Sequence, residues 1–150
     1  MPRFRYRMEN ILNLKLKLED QAKADFGAAN ARLAEEQERL QALIVQKAGY
    51  EMKIKESAQG LVNVRNIHLY QDGVRGVDLA ISDQMKAVKR AQREVDLARL
   101  HLNEAMKERK TQEILKEKAF EKFLEEMKAE ENKVTDELIS YKYGVAAQRQ

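Results

Sequence analysis

Apolar residues recur at alternating steps of three and four over most of this 150-residue chain. In the second half the pattern comprises Ile67, Tyr70, Val74, Val77, Ile81, Val88, Val95 and Leu102. A matching stripe in the first half comprises Phe26, Ala29, Leu33, Leu40, Leu43, Tyr50, Ile54 and Leu61. This spacing is typical of a coiled-coil seam, and Pro2 is the only proline, so no later proline forces a helix to stop. The sequence therefore predicts an all-α fold of two long helices that form an antiparallel coiled-coil hairpin.

The phase of the stripe, rather than the most obvious turn dipeptide, predicts where the chain turns. A break at Asp72-Gly73 would leave the continuous phase from Ile67 to Leu102 unexplained, whereas a glycine inside a helix costs only about 1 kcal/mol. Asn63 suits a turn and Asn66 suits a helix N-cap, so the tip is expected near residues 58–66. The expected bounds within one elongated domain of residues 1–150 are helix one at about 3–58, the tip at about 59–66 and helix two at about 67–143.

The register of the hairpin can also be predicted, because the residue numbers of facing seam positions add up to a constant. A total of 131 pairs residue 50 with residue 81 and residue 43 with residue 88. It also places the large side chains of Leu33 and Phe26 opposite alanines 98 and 105. With this register helix two extends past the start of helix one, and about residues 128–143 have no partner within the chain.

The composition is that of a long helix rather than of a nucleic-acid or membrane protein. Charged residues make up 35% of the chain, and 28 basic residues nearly balance 25 acidic ones. The resulting net charge of +3 is too small to indicate nucleic-acid binding. No apolar run approaches the roughly 18 residues of a membrane span, and Met1–Asn10 has no signal-peptide core. The missing cysteine excludes disulfides and thiolate metal sites but says little about the compartment. A cytoplasmic location is the default expectation.

The sequence contains no motif with the spacing of a catalytic or metal site. The segment Asp72–Gly76 lacks the lysine and hydroxyl residue of a phosphate-binding loop. His68 and His101 would lie far apart, and neither belongs to a zinc motif. A two-helix coiled coil also offers no enclosed pocket for a substrate. We therefore expect no enzymatic activity, no cofactor and no metal, and a function in binding partners.

Two surfaces are candidates for binding such partners. In the segment Arg3-Phe4-Arg5-Tyr6-Arg7 cations alternate with aromatic residues, which could hold an acidic groove or nucleic acid, or could close the open end of the coiled coil. The second surface is the overhang of helix two. Its apolar residues at helical spacing are Val134, Leu138 and Tyr141, and its polar face carries Asp136 and Glu137. Such a stripe without an internal partner favours binding in a groove or dimerisation, and fraying of the helix end is the competing interpretation.

The start of the chain resembles a known family. The residues that carry the resemblance are Phe4, Tyr6, Arg7, Met8, Glu9, Ile11, Leu12, Glu19 and Ala22, with Asp136-Glu137 near the end. They are similar to the FliJ proteins of the bacterial flagellar type III export apparatus, and the resemblance extends over nearly the whole chain. FliJ proteins are antiparallel coiled-coil hairpins that resemble the central stalk of rotary ATPases.

The resemblance implies a set of partners and two groups of binding residues. The implied partners are the flagellar export ATPase hexamer, whose ring assembly the protein would promote, the cytoplasmic part of the membrane export gate, and export chaperones. They imply a cytoplasmic protein peripherally associated with the inner face of the cell membrane, in flagellar biogenesis and motility. The ATPase-binding residues would be Arg3, Phe4, Arg5, Tyr6, Arg7, Val134, Asp136, Glu137, Leu138 and Tyr141. The gate-binding residues would be Leu43, Tyr50, Val77 and Ala80, although Gly73 stands where better-known members have a large apolar residue.

Two alternative functions remain open from the sequence. A coiled-coil stalk protein of a virulence-type secretion system would have the same mechanical features. A basic coiled coil that binds nucleic acid is the weaker alternative, because it requires cations on one face. In this sequence Lys86, Lys89, Arg90 and Arg93 are interspersed with Asp83, Glu94 and Asp96.

Overall fold

The computed structural model describes residues 2–60 and 64–148, which contain two helices, α1 (Glu9–Gln59) and α2 (Val64–Gln148). The helices pack antiparallel in two compact units. Unit 1 comprises Met1–Glu19 with Ala105–Gln150, and unit 2 comprises Asp20–Glu104. The predicted all-α coiled-coil hairpin is confirmed, whereas the single elongated domain stays a prediction. Within the described ranges no helix is both long and apolar enough to cross a membrane.

The seam of α1 follows the predicted heptad phase. From residue 12 to residue 57, every side chain that is not exposed lies at a step of three or four from the previous one. These positions are Leu12, Lys15, Glu19, Ala22, Phe26, Ala29, Leu33, Glu36, Leu40, Leu43, Lys47, Tyr50, Ile54 and Ser57. The buried residues of α2, Val77, Ala91 and Val95, belong to the facing stripe. Packing of these stripes, rather than the polar composition, therefore selects the helix faces that meet.

The register in both units differs from the predicted one. In unit 2 the ring of Phe26 lies under the Arg99 guanidinium, Arg32 pairs with Glu94, Lys47 with Asp78, and Gly73 lies against Tyr50. In unit 1 Phe4 contacts Phe120, Glu9 pairs with Lys116 and Lys15 with Glu108. The residue numbers of these pairs add up to about 124 in each unit, so the predicted total of 131 is wrong by one heptad.

A shift of seven residues keeps the same positions in the seam, so apolar spacing does not distinguish the two registers. The polar seam residues do distinguish them. In the observed register the Gln84 amide donates to the Glu36 backbone carbonyl at 2.9 Å and to the Glu36 carboxylate. With a total of 131, Glu36 would face Val95 instead, and a carboxylate that loses its partner on partial burial destabilises that arrangement.

The helix ends also differ from the predicted bounds. α1 begins at Glu9 instead of near residue 3, because the preceding segment packs with alternate side chains inward, a period that no helix has. α2 begins at Val64 rather than at residue 67. This earlier start agrees with the observed register, because half of a total of about 124 is 62, whereas half of 131 is near 66. It continues through Gly144 to Gln148, past the predicted end at 143, since an exposed glycine costs a helix only about 1 kcal/mol.

Between the helices, the expected turn falls within residues 58–66. Asn63, predicted for that turn, lies outside the described residues. Asn66 lies in the first turn of α2 and is not its N-cap.

Candidate protein-binding surfaces

The segment before α1 is attached to α2 by its two aromatic side chains. Phe4 contacts Phe120 edge-to-face, with ring centroids 5.1 Å apart, and Phe123 at 5.5 Å. Tyr6 is buried, and its hydroxyl donates a hydrogen bond to the Gln112 side-chain oxygen at 3.0 Å. A backbone bond from the Glu9 amide to the Tyr6 carbonyl then closes the turn into α1. Two aromatic anchors and one partly buried hydrogen bond therefore fix the course of the segment.

The same alternation directs the arginines outward. Arg3, Arg5 and Arg7 are exposed, while Phe4 between them is half-buried and Tyr6 is buried. The three arginines line one groove of unit 1 together with Leu115, Ala119 and Phe123 of α2. The structure thus separates the five predicted ATPase-binding residues of this segment into two inward anchors and three outward cations.

Charged side chains occupy the seam of unit 1 in paired form. Glu19 is buried, with 5% of its surface exposed, and the Arg109 guanidinium donates to its carboxylate and to that of Glu113. The hydrogen bond to Glu19 is the main cause that raises the pKa of Arg109, so the guanidinium stays charged. Lys116 pairs with Glu9 at 3.0 Å. Paired charges let a polar seam pack without an isolated buried ion.

The overhang of α2 presents an apolar stripe with no covering helix. Every described side chain from residue 128 to residue 144 is exposed. Val134 is 52% exposed, Leu138 58% and Tyr141 71%, and their spacing places them on one face. The acidic pair Asp136 and Glu137 is exposed beside this stripe.

The first turn of the overhang lies beside the start of the N-terminal segment. Pro2 and Val134 line one open groove together with Met127, Glu130 and Thr135. Of the predicted ATPase-binding residues, only Val134 lines this groove, while Arg3–Arg7 line another groove of unit 1. Asp136–Tyr141 continue along α2 beyond it.

The four predicted gate-binding residues lie along the seam of unit 2. Val77 is buried, with 6% of its surface exposed, and Leu43, Tyr50 and Ala80 are half-buried. A partner would reach the side chains of this group only at the edges of the seam.

Sequence reasoning missed two contacts within this region. The first is the salt bridge between the Lys47 ammonium and the Asp78 carboxylate at 2.8 Å, whose hydrogen bond raises the pKa of Lys47. The second joins Gly73 to the face of Tyr50, where a Cβ on Gly73 would come within 2.9 Å of Tyr50 Cε1. The heptad phase alone, read with a register of about 124, would have indicated both pairs.

The geometry contains no catalytic constellation among the described residues. No group of three or more histidine or acidic side chains could hold a metal ion within residues 2–60 and 64–148. The fold is that of a two-helix coiled-coil protein.

Comparison with known proteins gives the family. The profile of the flagellar FliJ protein family matches residues 4–148, so the chain belongs to the FliJ family and is a coiled-coil component of type III protein export. No curated protein matches the sequence significantly. Among solved structures, the chain is similar in fold to a putative YscO homolog, CT670, from Chlamydia trachomatis. That likeness has a TM-score of 0.69 at 20% sequence identity and covers 99% of this chain and 100% of the other.

Proposed function

We propose that this protein is a non-enzymatic coupling component of the flagellar type III export apparatus. It binds the hexameric export ATPase, promotes assembly of the ATPase ring and links the ring to the cytoplasmic part of the membrane export gate. Export chaperones are a third class of partner. The protein acts in the cytoplasm, at the inner face of the membrane, through these contacts.

The observation that carries the proposal is the uncovered overhang of α2. Seventeen consecutive described residues, 128–144, have exposed side chains, yet the segment is helical and keeps an apolar stripe at Val134, Leu138 and Tyr141. An apolar helix face without an internal partner is suited to insertion between subunits of a partner. Arg3, Arg5 and Arg7 are exposed and line a separate groove of unit 1 with Leu115 and Phe123 of α2, where they supply positive charge to the predicted surface.

The second surface, on unit 2, would bind the export gate. Leu43, Tyr50, Val77 and Ala80 present edges of the seam rather than whole side chains. Contact there would involve the Lys47–Asp78 salt bridge, which lies between these positions on both helices. The two surfaces belong to different units, so each can be tested without changing the other.

The test reconstitutes the purified protein with the export ATPase and measures ring formation by sedimentation and ATP hydrolysis. The Leu138→Ser variant should lose stimulation of both activities. The matched control is Ile139→Ser, which removes another large apolar side chain, 46% exposed against 58% for Leu138, from another face of the same turn. Wild-type protein without effect on the ATPase, or equal losses in both variants, contradicts the proposal.

A further inference from the structure

Unit 1 contains a groove that combines positive charge with an apolar lining. Its cations are Arg3, Arg5, Arg7 and Lys122. Leu115 and Phe123 supply apolar lining, and Glu126 supplies one carboxylate against the four cations. Among the described residues, none of these four cations forms a salt bridge. This surface, the basic groove, is therefore suited to an acidic segment that also carries apolar side chains.

The overhang of α2 is an acidic segment of this kind. Its apolar stripe comprises Val134, Leu138 and Tyr141. Glu130, Glu131 and Glu137 are exposed and lie three or four residues from Val134, so their side chains border the stripe. Lys142 is the one cation at such a spacing from a stripe residue, so the border is negative overall. Carboxylates beside apolar side chains thus complement a groove in which cations stand beside apolar side chains.

The overhang cannot reach the basic groove of its own chain, whereas a second copy can. Both surfaces use α2, one continuous helix from Val64 to Gln148, so within one chain they stay separated along its axis. Residues 115–126, which contribute to the groove, lie as far before residue 129 as residues 132–143 of the overhang lie after it. Two α2 helices that pair antiparallel around residue 129 therefore place each overhang on the basic groove of the other copy.

The groove and the stripe also lie on the same side of α2. Val134 lies 11 residues after Phe123, and Tyr141 lies 7 residues after Val134. At about 3.6 residues per turn these intervals are about three turns and two turns, so the three side chains share one face. A symmetric antiparallel pair requires this arrangement, because the same face of each helix must supply both the groove and the stripe.

We propose that this protein forms a symmetric antiparallel dimer, in which the overhang of each copy lies in the basic groove of the other. The two contacts are identical and use both surfaces of each copy, so the dimer is closed and adds no further copies. The inference depends on the shape and charge of unit 1 and not on the proposed function. Because the same surfaces carry the proposed ATPase contact, the dimer and that contact would exclude each other.

Sedimentation equilibrium of the purified full chain tests the proposal. The wild-type protein should form a dimer with a Kd of roughly 1–100 μM, as expected for a small interface. A groove variant carries Arg3→Glu and Arg5→Glu, and an overhang variant carries Glu131→Lys and Glu137→Lys. Each variant turns attraction into repulsion at both symmetric contacts, so each Kd should rise at least about tenfold.

An equimolar mixture of the two variants gives the decisive result. In a mixed pair the groove and the overhang have opposite charges at both contacts, so the mixture should dimerise with a Kd close to that of the wild type. The matched control carries Glu121→Lys and Asp136→Lys, the same change in charge on α2. Neither residue lines the basic groove or lies three or four residues from the stripe, so the control should dimerise like the wild type.

Circular dichroism establishes that each variant is as helical as the wild type before sedimentation. A wild-type chain that stays monomeric up to about 500 μM overturns the proposal, and the basic groove would then bind a different acidic molecule. Equal weakening by the control and the overhang variant also overturns it, because net charge rather than the groove would be the cause. A mixture that stays monomeric shows that the two surfaces do not meet, and the proposed dimer is then wrong.

Discussion

Substitution of Gly73 by alanine tests the packing of unit 2 most directly. An added Cβ would meet three atoms of the Tyr50 ring, at 2.9 Å from Cε1, 3.0 Å from Cζ and 3.2 Å from Cδ1. Carbon atoms in van der Waals contact prefer about 3.5–4.0 Å, so the ring or the backbone must move. Gly76 lies one turn later in the same helix, and a Cβ there meets nothing within 4 Å.

Two opposing effects set the magnitude at residue 73. Replacing a helical glycine by alanine stabilises by up to about 1 kcal/mol, since it lowers the entropy of the unfolded chain. Overpacking by one methyl group costs about 1–3 kcal/mol. Gly76→Ala should therefore stabilise by about 0.5–1 kcal/mol, while Gly73→Ala should be neutral to destabilising by about 2 kcal/mol. The difference between the two variants should be about 1–3 kcal/mol, the whole of it due to Tyr50.

The assay is urea and thermal unfolding followed by circular dichroism at 222 nm. For a chain of this length about 1 kcal/mol shifts Tm by about 2–4 °C, so the two variants should differ by at least about 2 °C. A double-mutant cycle gives the control. In a Tyr50→Ala background the ring is absent, and Gly73→Ala should then stabilise as much as Gly76→Ala does.

A single result refutes this reasoning. If Gly73→Ala stabilises the otherwise unchanged chain as much as Gly76→Ala, the Tyr50 ring does not lie on Gly73. The register of about 124 in unit 2 would then lose one of the contacts that define it.

Three further predictions concern other contacts of the two units. Tyr6→Phe should destabilise by about 1 kcal/mol in urea unfolding, because it removes a partly buried hydrogen bond between side chains; an unchanged midpoint would mean that the hydroxyl is hydrated instead. Val95→Ala should lower the free energy of unfolding by about 2 kcal/mol, because Val95 is only 2% exposed. Leu97 is 54% exposed, so Leu97→Ala should change it by no more than about 0.5 kcal/mol. Equal losses in urea unfolding would place Val95 outside the core. The Tm difference between Lys47→Met and the unchanged chain should be constant from pH 7 to pH 9 and vanish only above the ordinary lysine pKa of 10.5. The reason is that Asp78 raises the pKa of Lys47, so the stabilisation persists until the ammonium deprotonates. A loss of the difference near pH 8 would contradict this.

The sequence is sufficient to predict the helical seam because its signal is repeated many times. A polar residue at one seam position, such as Lys15 or Glu36, does not hide the pattern, because apolar residues recur at the same spacing on either side of it. For the same reason Gly73 could be placed inside α2 despite the turn-like Asp72-Gly73 pair. The overhang of α2 was inferred from a register that is wrong by one heptad, but a shift of seven residues still leaves the end of α2 beyond the start of α1, and residues 128–144 are exposed.

The candidate surfaces could be predicted only in part. The alternation in Arg3–Arg7 left open whether this segment binds a partner or closes the coiled coil. In the structure Phe4 and Tyr6 pack on α2 and the arginines are exposed, so the segment closes this end of the coiled coil, while partner binding stays a prediction. Sequence spacing placed Val77 in the seam but did not reveal that Lys47 and Asp78 pair beside it, because that pairing depends on the register.

The sequence by itself determined the two helices, the faces that meet and the absence of any motif for catalysis, because these follow from local spacing. Only the tertiary structure decided which heptad of α2 lies opposite which heptad of α1. A shift of seven residues leaves every seam position in the seam, so apolar periodicity does not distinguish the two registers. The choice depends on contacts between residues distant in sequence, such as Gln84 with Glu36 and Tyr50 with Gly73, which no local pattern contains.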